Sequence, residues 1–251
     1  LLGLGVTSVL FQAIPIYPTP ARYWESCDKH SVTQFWAPPS ALRVLAKYGS
    51  EYIVSTRRDT LRVLGTAGEP IDPKTWWWFF SQVGNSRCSV VDSYWLTESG
   101  GILLSPMPGC TPMRPGSCVQ PALGIVPAII VPHTGQEFVD SGIEGALAIK
   151  SPWPGLAIGF LGETTHTRFT ETYFPGPLHY FVTGDGAVSD AEGHITITGR
   201  LDDVLKVNGH RMGSFDVESI LLSHPALSEA AVIGVPNDSK GQSLIAFGIL
   251  K

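Results

Sequence analysis

In the first third of the chain, short apolar blocks alternate with stretches whose apolar residues recur at helical spacing. Val6 to Phe11 reads as a buried strand. Thr19-Pro20 supplies a cap and a first-turn proline for a helix to about His30. Val32 to Trp36 is a short strand, and Pro38-Pro39-Ser40 opens a helix that puts Leu42, Leu45 and Ala46 on one face. Leu61 to Gly65 is again a strand, Asp72-Pro73 starts a helix to about Val83, and Ser89 to Val91 is the next strand. This β-then-α rhythm predicts a parallel sheet with crossover helices.

Past Gly100 the pattern changes. Residues 106–116 are rich in proline and glycine, and short β segments follow at Ala128 to Val131, Gly145 to Ile149, His179 to Thr183 and His194 to Thr198. Asp190-Ala191-Glu192-Gly193 reads as a hairpin turn. These segments predict a small β-barrel-like part beside the α/β layer. Near Asp202 a further boundary is expected. Beyond it lie a hairpin through Asn208-Gly209, a helix from Ser214 to about Ser223, and strands over Ala230 to Val235 and Leu244 to Leu250. The predicted fold class is therefore α/β: a large domain over residues 1–201, then the start of a small α+β domain over residues 202–251.

Composition narrows the class. The 251 residues suffice for a sizeable core, and 43% hydrophobic against 16% charged residues is a globular balance. A net charge of −5 gives no basic field for nucleic acid or an anionic membrane. The cysteines Cys27, Cys88, Cys110 and Cys118 form no C-x-x-C pair and no disulfide framework, which points to idle thiols in a reducing, intracellular setting, cytoplasm or mitochondrial matrix. No apolar run is long enough to span a bilayer, and Leu1 to Phe11 lacks the charged flank of a signal peptide.

Candidate chemistry gathers at strand ends, where open α/β sheets bind ligands. Thr66-Ala67-Gly68-Glu69-Pro70 follows one strand and offers flat backbone for a purine; an ordinary loop with a solvated Glu is the plainer alternative. Asp92-Ser93-Tyr94-Trp95-Leu96-Thr97-Glu98 follows another. Thr97 is suited to a phosphate oxygen, Glu98 to Mg²⁺ and Trp95 to the wall of a small apolar pocket, against the alternative of a packed Tyr–Trp pair with a loop Glu. Later, Asp185 and Arg200 sit among tight Gly turns. A carboxylate accepts both ribose hydroxyls, and an Arg brackets ribose or phosphate. Trp76-Trp77-Trp78-Phe79-Phe80 points in every direction on a helix, so packing between layers is its reading. Neither a His/Cys cluster nor a G-x-S-x-G elbow is present, which leaves zinc and serine-hydrolase chemistry without an anchor.

Taken in order, Gly68-Glu69-Pro70, Tyr94-Trp95-Leu96-Thr97-Glu98-Ser99-Gly100-Gly101, Gly184-Asp185-Gly186 and Gly199-Arg200-Leu201-Asp202-Asp203-Val204 closely resemble the acyl-adenylate-forming superfamily, in its short-chain AMP-forming acetyl-CoA synthetase branch. The resemblance runs from end to end. It implies an acid–thiol ligase in which a carboxylate and ATP give acyl-AMP and pyrophosphate with Mg²⁺ present, and CoA then takes the acyl group. Its substrates would be small molecules: acetate or another short-chain acid, ATP and CoA.

The resemblance also implies roles. Gly68, Glu69 and Pro70 would meet adenine. Asp92, Ser93, Tyr94, Trp95, Leu96 and Thr97 would line adenosine and the α-phosphate, and Glu98 would sit near the metal. Asp185 and Arg200 would meet the ribose, and Arg211 the phosphates. Ala67 and Trp95 would bound the acyl pocket, Asp202 would be the hinge, and Asn208 would lie near CoA. Leu222, His224 and Leu227 match the positions of a further metal in bacterial members. Leu96 stands where the family has Gln, and Ala67 where it usually has Val, so propionate is expected to fit better; Asn208 and Ile158 also depart from the usual Ser and Arg. The family's phosphate loop and adenylation Lys are expected outside residues 1–251, so this chain alone is expected to be inactive. Two alternatives to an acetate–CoA ligase stay open: a propionyl- or other short-chain synthetase, and a non-catalytic nucleotide-binding isoform.

Overall fold

The parallel sheet is present. In a computed structural model of the chain, strands β1 (Gln34–Trp36), β2 (Val63–Ala67) and β3 (Ser89–Trp95) pair in parallel, and β4 (Ile102–Leu104) adds antiparallel to β3. The structure describes all residues except 1–3, 11, 13, 119, 133, 164, 177–178, 202–203, 208–209, 223, 238–240 and 251; at 204, 206–207, 210–212, 215–216 and 241–242 it describes the backbone alone. The chain divides into two compact units, Leu1–Gly124 and Ile125–Lys251.

In the first unit, helix α1 (Arg22–Lys29) precedes β1. Helices α2 (Pro39–Ala46) and α3 (Glu51–Val54) link β1 to β2. Helix α4 (Pro73–Trp78), prolonged by a π-helical turn over Phe79–Val83, links β2 to β3. The start of α4 is dictated locally: Pro73 takes the first turn and Asp72 Oδ1 accepts the Thr75 N–H at 2.9 Å. Trp24, Leu42, Ile53, Leu61, Leu64 and Phe79 form the centre of the core between helices and sheet. From the aromatic run, Trp76 and Phe79 are buried and Trp78 and Phe80 pack against that core, whereas Trp77 turns outward. Residues 6–10 carry no strand. Val6, Val9 and Leu10 are exposed, so the apolar block there lacks the pairing partner that would make it a buried strand.

The second unit begins with an antiparallel meander of β5 (Pro127–Ile130), β6 (Gly145–Ile149), β7 (Phe181–Ser189) and β8 (Ile195–Arg200). It is an open four-stranded sheet, where a barrel-like part was expected. Asp190 Oδ1 ties the β7–β8 turn by accepting the N–H groups of Glu192 and His194, each at 2.9 Å. Helix α5 (Thr167–Tyr173), which the sequence pattern did not predict, stacks Tyr173 on Phe181 with centroids 4.9 Å apart. A second sheet follows, in the order β10 (His210–Gly213), β9 (Val204–Val207), β12 (Gly241–Leu250), β11 (Leu227–Asn237), with α6 (Ser214–Leu222) between β10 and β11. Val207 pairs with His210 across the expected hairpin, whose turn residues lie outside the described ones. No helix among the described residues is long and apolar enough to cross a membrane.

Candidate nucleotide site

In the first unit, the carboxyl ends of β2 and β3 lie side by side. Thr66 is opposite Asp92, and Ala67 is opposite Ser93. The two predicted stretches, from Thr66 and from Asp92, therefore lie on neighbouring strands, as a ligand site in such a sheet requires. Thr66, Ala67 and residues 92–95 still belong to β2 and β3, and the loops begin only at Gly68 and Leu96. Glu69 is not the solvated side chain of an ordinary loop. Its carboxylate accepts the Ser40 N–H at 2.7 Å and pairs with the Arg43 guanidinium. It thus supplies the acceptor that Pro38, the cap residue of α2, lacks. With that carboxylate committed to α2, the part of Gly68-Glu69-Pro70 left for a purine is its backbone.

The loop after β3 is pinned by Ser99. Its hydroxyl is buried, accepts the Leu96 N–H at 3.0 Å and donates to Leu96 O at 2.7 Å. Trp95 and Thr97 are left exposed, and Tyr94, Leu96 and Glu98 half-buried. Ser93 is buried, with its hydroxyl 2.9 Å from that of Ser105.

Asp92 is set apart from the loop that follows it. Its carboxyl is 4% exposed and accepts the Cys118 Sγ–H at 3.6 Å. Burial pushes it up to about 7, against a smaller lowering by that hydrogen bond. The Cys118 thiol is raised in turn, chiefly by burial and then by the nearby carboxylate. Side chains alternate along strands, so the register places Thr66 on the same face as Asp92. The Thr66 hydroxyl is fully buried and has no hydrogen-bond partner among the described residues. Cys118 as partner of Asp92, like Ser40 and Arg43 as partners of Glu69, has no signature in the sequence. The pairs are far apart along the chain and belong to no local pattern.

In the second unit, β7 and β8 bring Asp185 and Arg200 together as direct register partners. Asp185 is buried, and its Oδ1 lies 3.7 Å from Arg200 Nη1, while Arg200 is 47% exposed. The Thr183 hydroxyl accepts the Asp185 N–H at 3.1 Å and donates to Leu147 O at 3.0 Å, which fixes the backbone behind the carboxylate. Gly184 has φ +81°, and a Cβ there would stand 3.2 Å from Arg200 Nη2. A glycine suits both the backbone angle and the space beneath the guanidinium.

Among the other expected site residues, Arg211 lies on β10, and Asp202 and Asn208 lie outside the described residues. Leu222 ends α6, Leu227 begins β11, and His224 between them is exposed, with Nδ1 accepting the Ala226 N–H at 3.2 Å. The two leucines can offer only main-chain oxygens. That donor set has no carboxylate and does not suit Mg²⁺, whereas the half-buried Glu98 does, in company with phosphates. Among the described residues no group of three or more His, Cys, Asp or Glu side chains converges on one point.

Comparison with known proteins fixes the class. Residues 1–161 match the family model described as AMP-binding enzyme, and residues 216–251 match that of the AMP-binding enzyme C-terminal domain. The chain belongs to the AMP-binding enzyme family. Among curated relatives it is similar to acetyl-coenzyme A synthetases. It is 48% identical to that of Saccharophagus degradans over 97% of this chain, and 46% identical to that of Phycomyces blakesleeanus over 100% of it. It spans 37% of the length of each. Among solved structures, the crystal structure of the anthranilate CoA ligase AuaEII in complex with anthranoyl-AMP resembles it with a TM-score of 0.73 and 28% identity, covering 94% of this chain and 43% of that one.

Proposed function

We propose that the chain is part of an acetate–CoA ligase. The whole protein would convert acetate, ATP and CoA to acetyl-CoA, AMP and pyrophosphate through acetyl-AMP. An acetate oxygen attacks the α-phosphate and pyrophosphate leaves; the CoA thiol, losing its proton, then displaces AMP from the acyl carbon. Residues 1–201 would belong to the large adenylating domain and residues 202–251 to the small mobile one, with Asp202 as the pivot.

The observation that carries the reading is the Asp185–Arg200 pair, held in register across β7 and β8 and fixed from behind by Thr183. A buried carboxylate beside an exposed guanidinium suits a ribose diol: Asp185 accepts both hydroxyls, and Arg200 braces the sugar from the solvent side. The backbone of Gly68-Glu69-Pro70 would meet adenine, and Tyr94 to Thr97 would follow adenosine to the α-phosphate. Ala67 and Trp95 would close around the acyl group. Arg211 would approach the phosphates, and Asn208 CoA. Glu98 would hold Mg²⁺, which when bound neutralises phosphate charge. The free thiols at all four cysteines suit a reducing compartment, cytoplasm or mitochondrial matrix.

The test is pyrophosphate release by the full-length protein with ATP and acetate. Release that depends on acetate is expected. Asp185→Asn should weaken AMP binding by about 1.5–3 kcal/mol, roughly ten- to hundredfold, the worth of hydrogen bonds to a charged group. AMP binding without pyrophosphate release for any short-chain acid would instead favour a non-catalytic nucleotide-binding protein.

A further inference from the structure

One face of the first-unit sheet ends in two half-exposed indoles. Trp36, the last residue of β1, is 44% exposed, and Trp95, the last of β3, is 49% exposed. Such exposure of large aromatics at the ligand-binding end of a sheet calls for an explanation. The strand register shows that they share a face. Trp36 is opposite Gly65, and Gly65 is opposite Val91. Alternation then puts Ala67, Ser93 and Trp95 on the side of Trp36, and Thr66 and Asp92 on the other.

Trp36 does not stand away from the sheet. A Cβ built on Gly65 would fall 2.1 Å from Trp36 Cδ2 and 2.2 Å from Cε2, so the fused edge of the indole occupies the place of a side chain at Gly65. The Ala37 N–H donates to Gly65 O at 3.1 Å and ties the Trp36 segment to β2. Glu69 joins the same two stretches from the loop side, through Ser40 and Arg43. The indole is thus fixed over the strand position two residues before Ala67.

We propose that Trp36 is a specificity-determining residue of the acyl pocket. Laid over Gly65, its indole fills space beside Ala67 and limits the acid to two carbons. The proposal rests on the reading of Ala67 and Trp95 as acyl-pocket residues. It reverses the expectation drawn from Ala67 alone, that a smaller side chain favours propionate. The space opened by the smaller Ala67 is taken up from β1 by a much larger side chain.

The experiment measures kcat/KM of the full-length enzyme for acetate, propionate and butyrate by pyrophosphate release. The wild type should prefer acetate to propionate by about tenfold or more, the lower end of what one methylene is worth in an apolar pocket. Trp36→Val should cut that ratio by about the same factor, with KM for ATP changed less than twofold. Gly65→Ala should move the ratio the same way, because its Cβ displaces the indole. Equal slowing of all three acids in both variants, with the ratio preserved, overturns the proposal. If Trp36→Val fails to fold, Trp36→Phe serves: a smaller ring should still shift the ratio toward propionate, and an unchanged ratio overturns the proposal. Failure of the underlying functional reading looks different, since the wild type would then release no pyrophosphate with any acid.

Discussion

At the scale of single residues, Asp92 carries the sharpest consequence. Burial holds its carboxyl at about 7, while in the unfolded chain it ionises near its ordinary value of 3.8. Between those two pH values the folded state keeps a proton that the unfolded state has released. Stability therefore falls as pH rises through this window, and the loss is complete once both states are ionised. The urea midpoint should drop between pH 5 and pH 8 by more in the wild type than in Asp92→Asn, which keeps an acceptor for the Cys118 thiol but cannot titrate. Identical pH profiles for the two proteins would refute this. Asp92 stood out in the sequence as the first residue of a loop at a strand end. Its burial and its thiol partner did not, because Cys118 reaches it only through the fold. Glu69 is similar: Gly-Glu-Pro marked a turn, but the seating of that carboxylate on the start of α2 depends on where α2 lies.

Among the elements, the link from α3 to β2 is held by one buried cation. The Arg58 guanidinium donates to Thr56 O at 2.8 Å, to the Thr56 hydroxyl at 2.6 Å, to Val83 O at 3.3 Å and to Ile53 O. It bridges α3 and the end of the π-helical turn. Burial lowers its pKa, opposed chiefly by the neighbouring Cys27 thiol. Arg58→Ala would take this donor from the carbonyls of Thr56 and Val83, while Ile53 O keeps the Thr56 N–H and hydroxyl, and should cost about 2 kcal/mol or more, since each such loss is worth about 1–3. Urea unfolding measures this, and a midpoint within error of the wild type would contradict it. Arg58→Lys should recover less than half, because one ammonium cannot reproduce the planar fork. The sequence pattern does not single out Arg58, because its partners at Ile53, Thr56 and Val83 are set by the fold. Local pattern located most elements well because Pro, Asp and Gly act on neighbouring backbone. It missed α5, whose stability comes from an aromatic cluster brought together by β7.

For the molecule as a whole, all four thiols lie in the first unit, where Cys27, Cys88 and Cys118 are buried and Cys110 is exposed. Burial pushes Cys27 up to about 12 and raises Cys88 and Cys118, so none of these three offers a thiolate near neutrality. A maleimide should label Cys110 alone in the folded protein and all four cysteines in urea, which mass spectrometry reads directly. Prompt labelling of Cys118 in the folded state would contradict its place behind β3. The sequence by itself determined the parallel β–α rhythm, the short turn-separated strands of the second part and the order of the motifs, because periodicity, turn residues and motif spacing act over short stretches. It also pointed to Asp185 and Arg200. Only the tertiary structure decided that these two are cross-strand partners, that the meander stays an open sheet, that Asp92 is buried against Cys118, and that Trp36 lies over Gly65. Each of those outcomes depends on strand register and burial, which are set by residues distant in the chain.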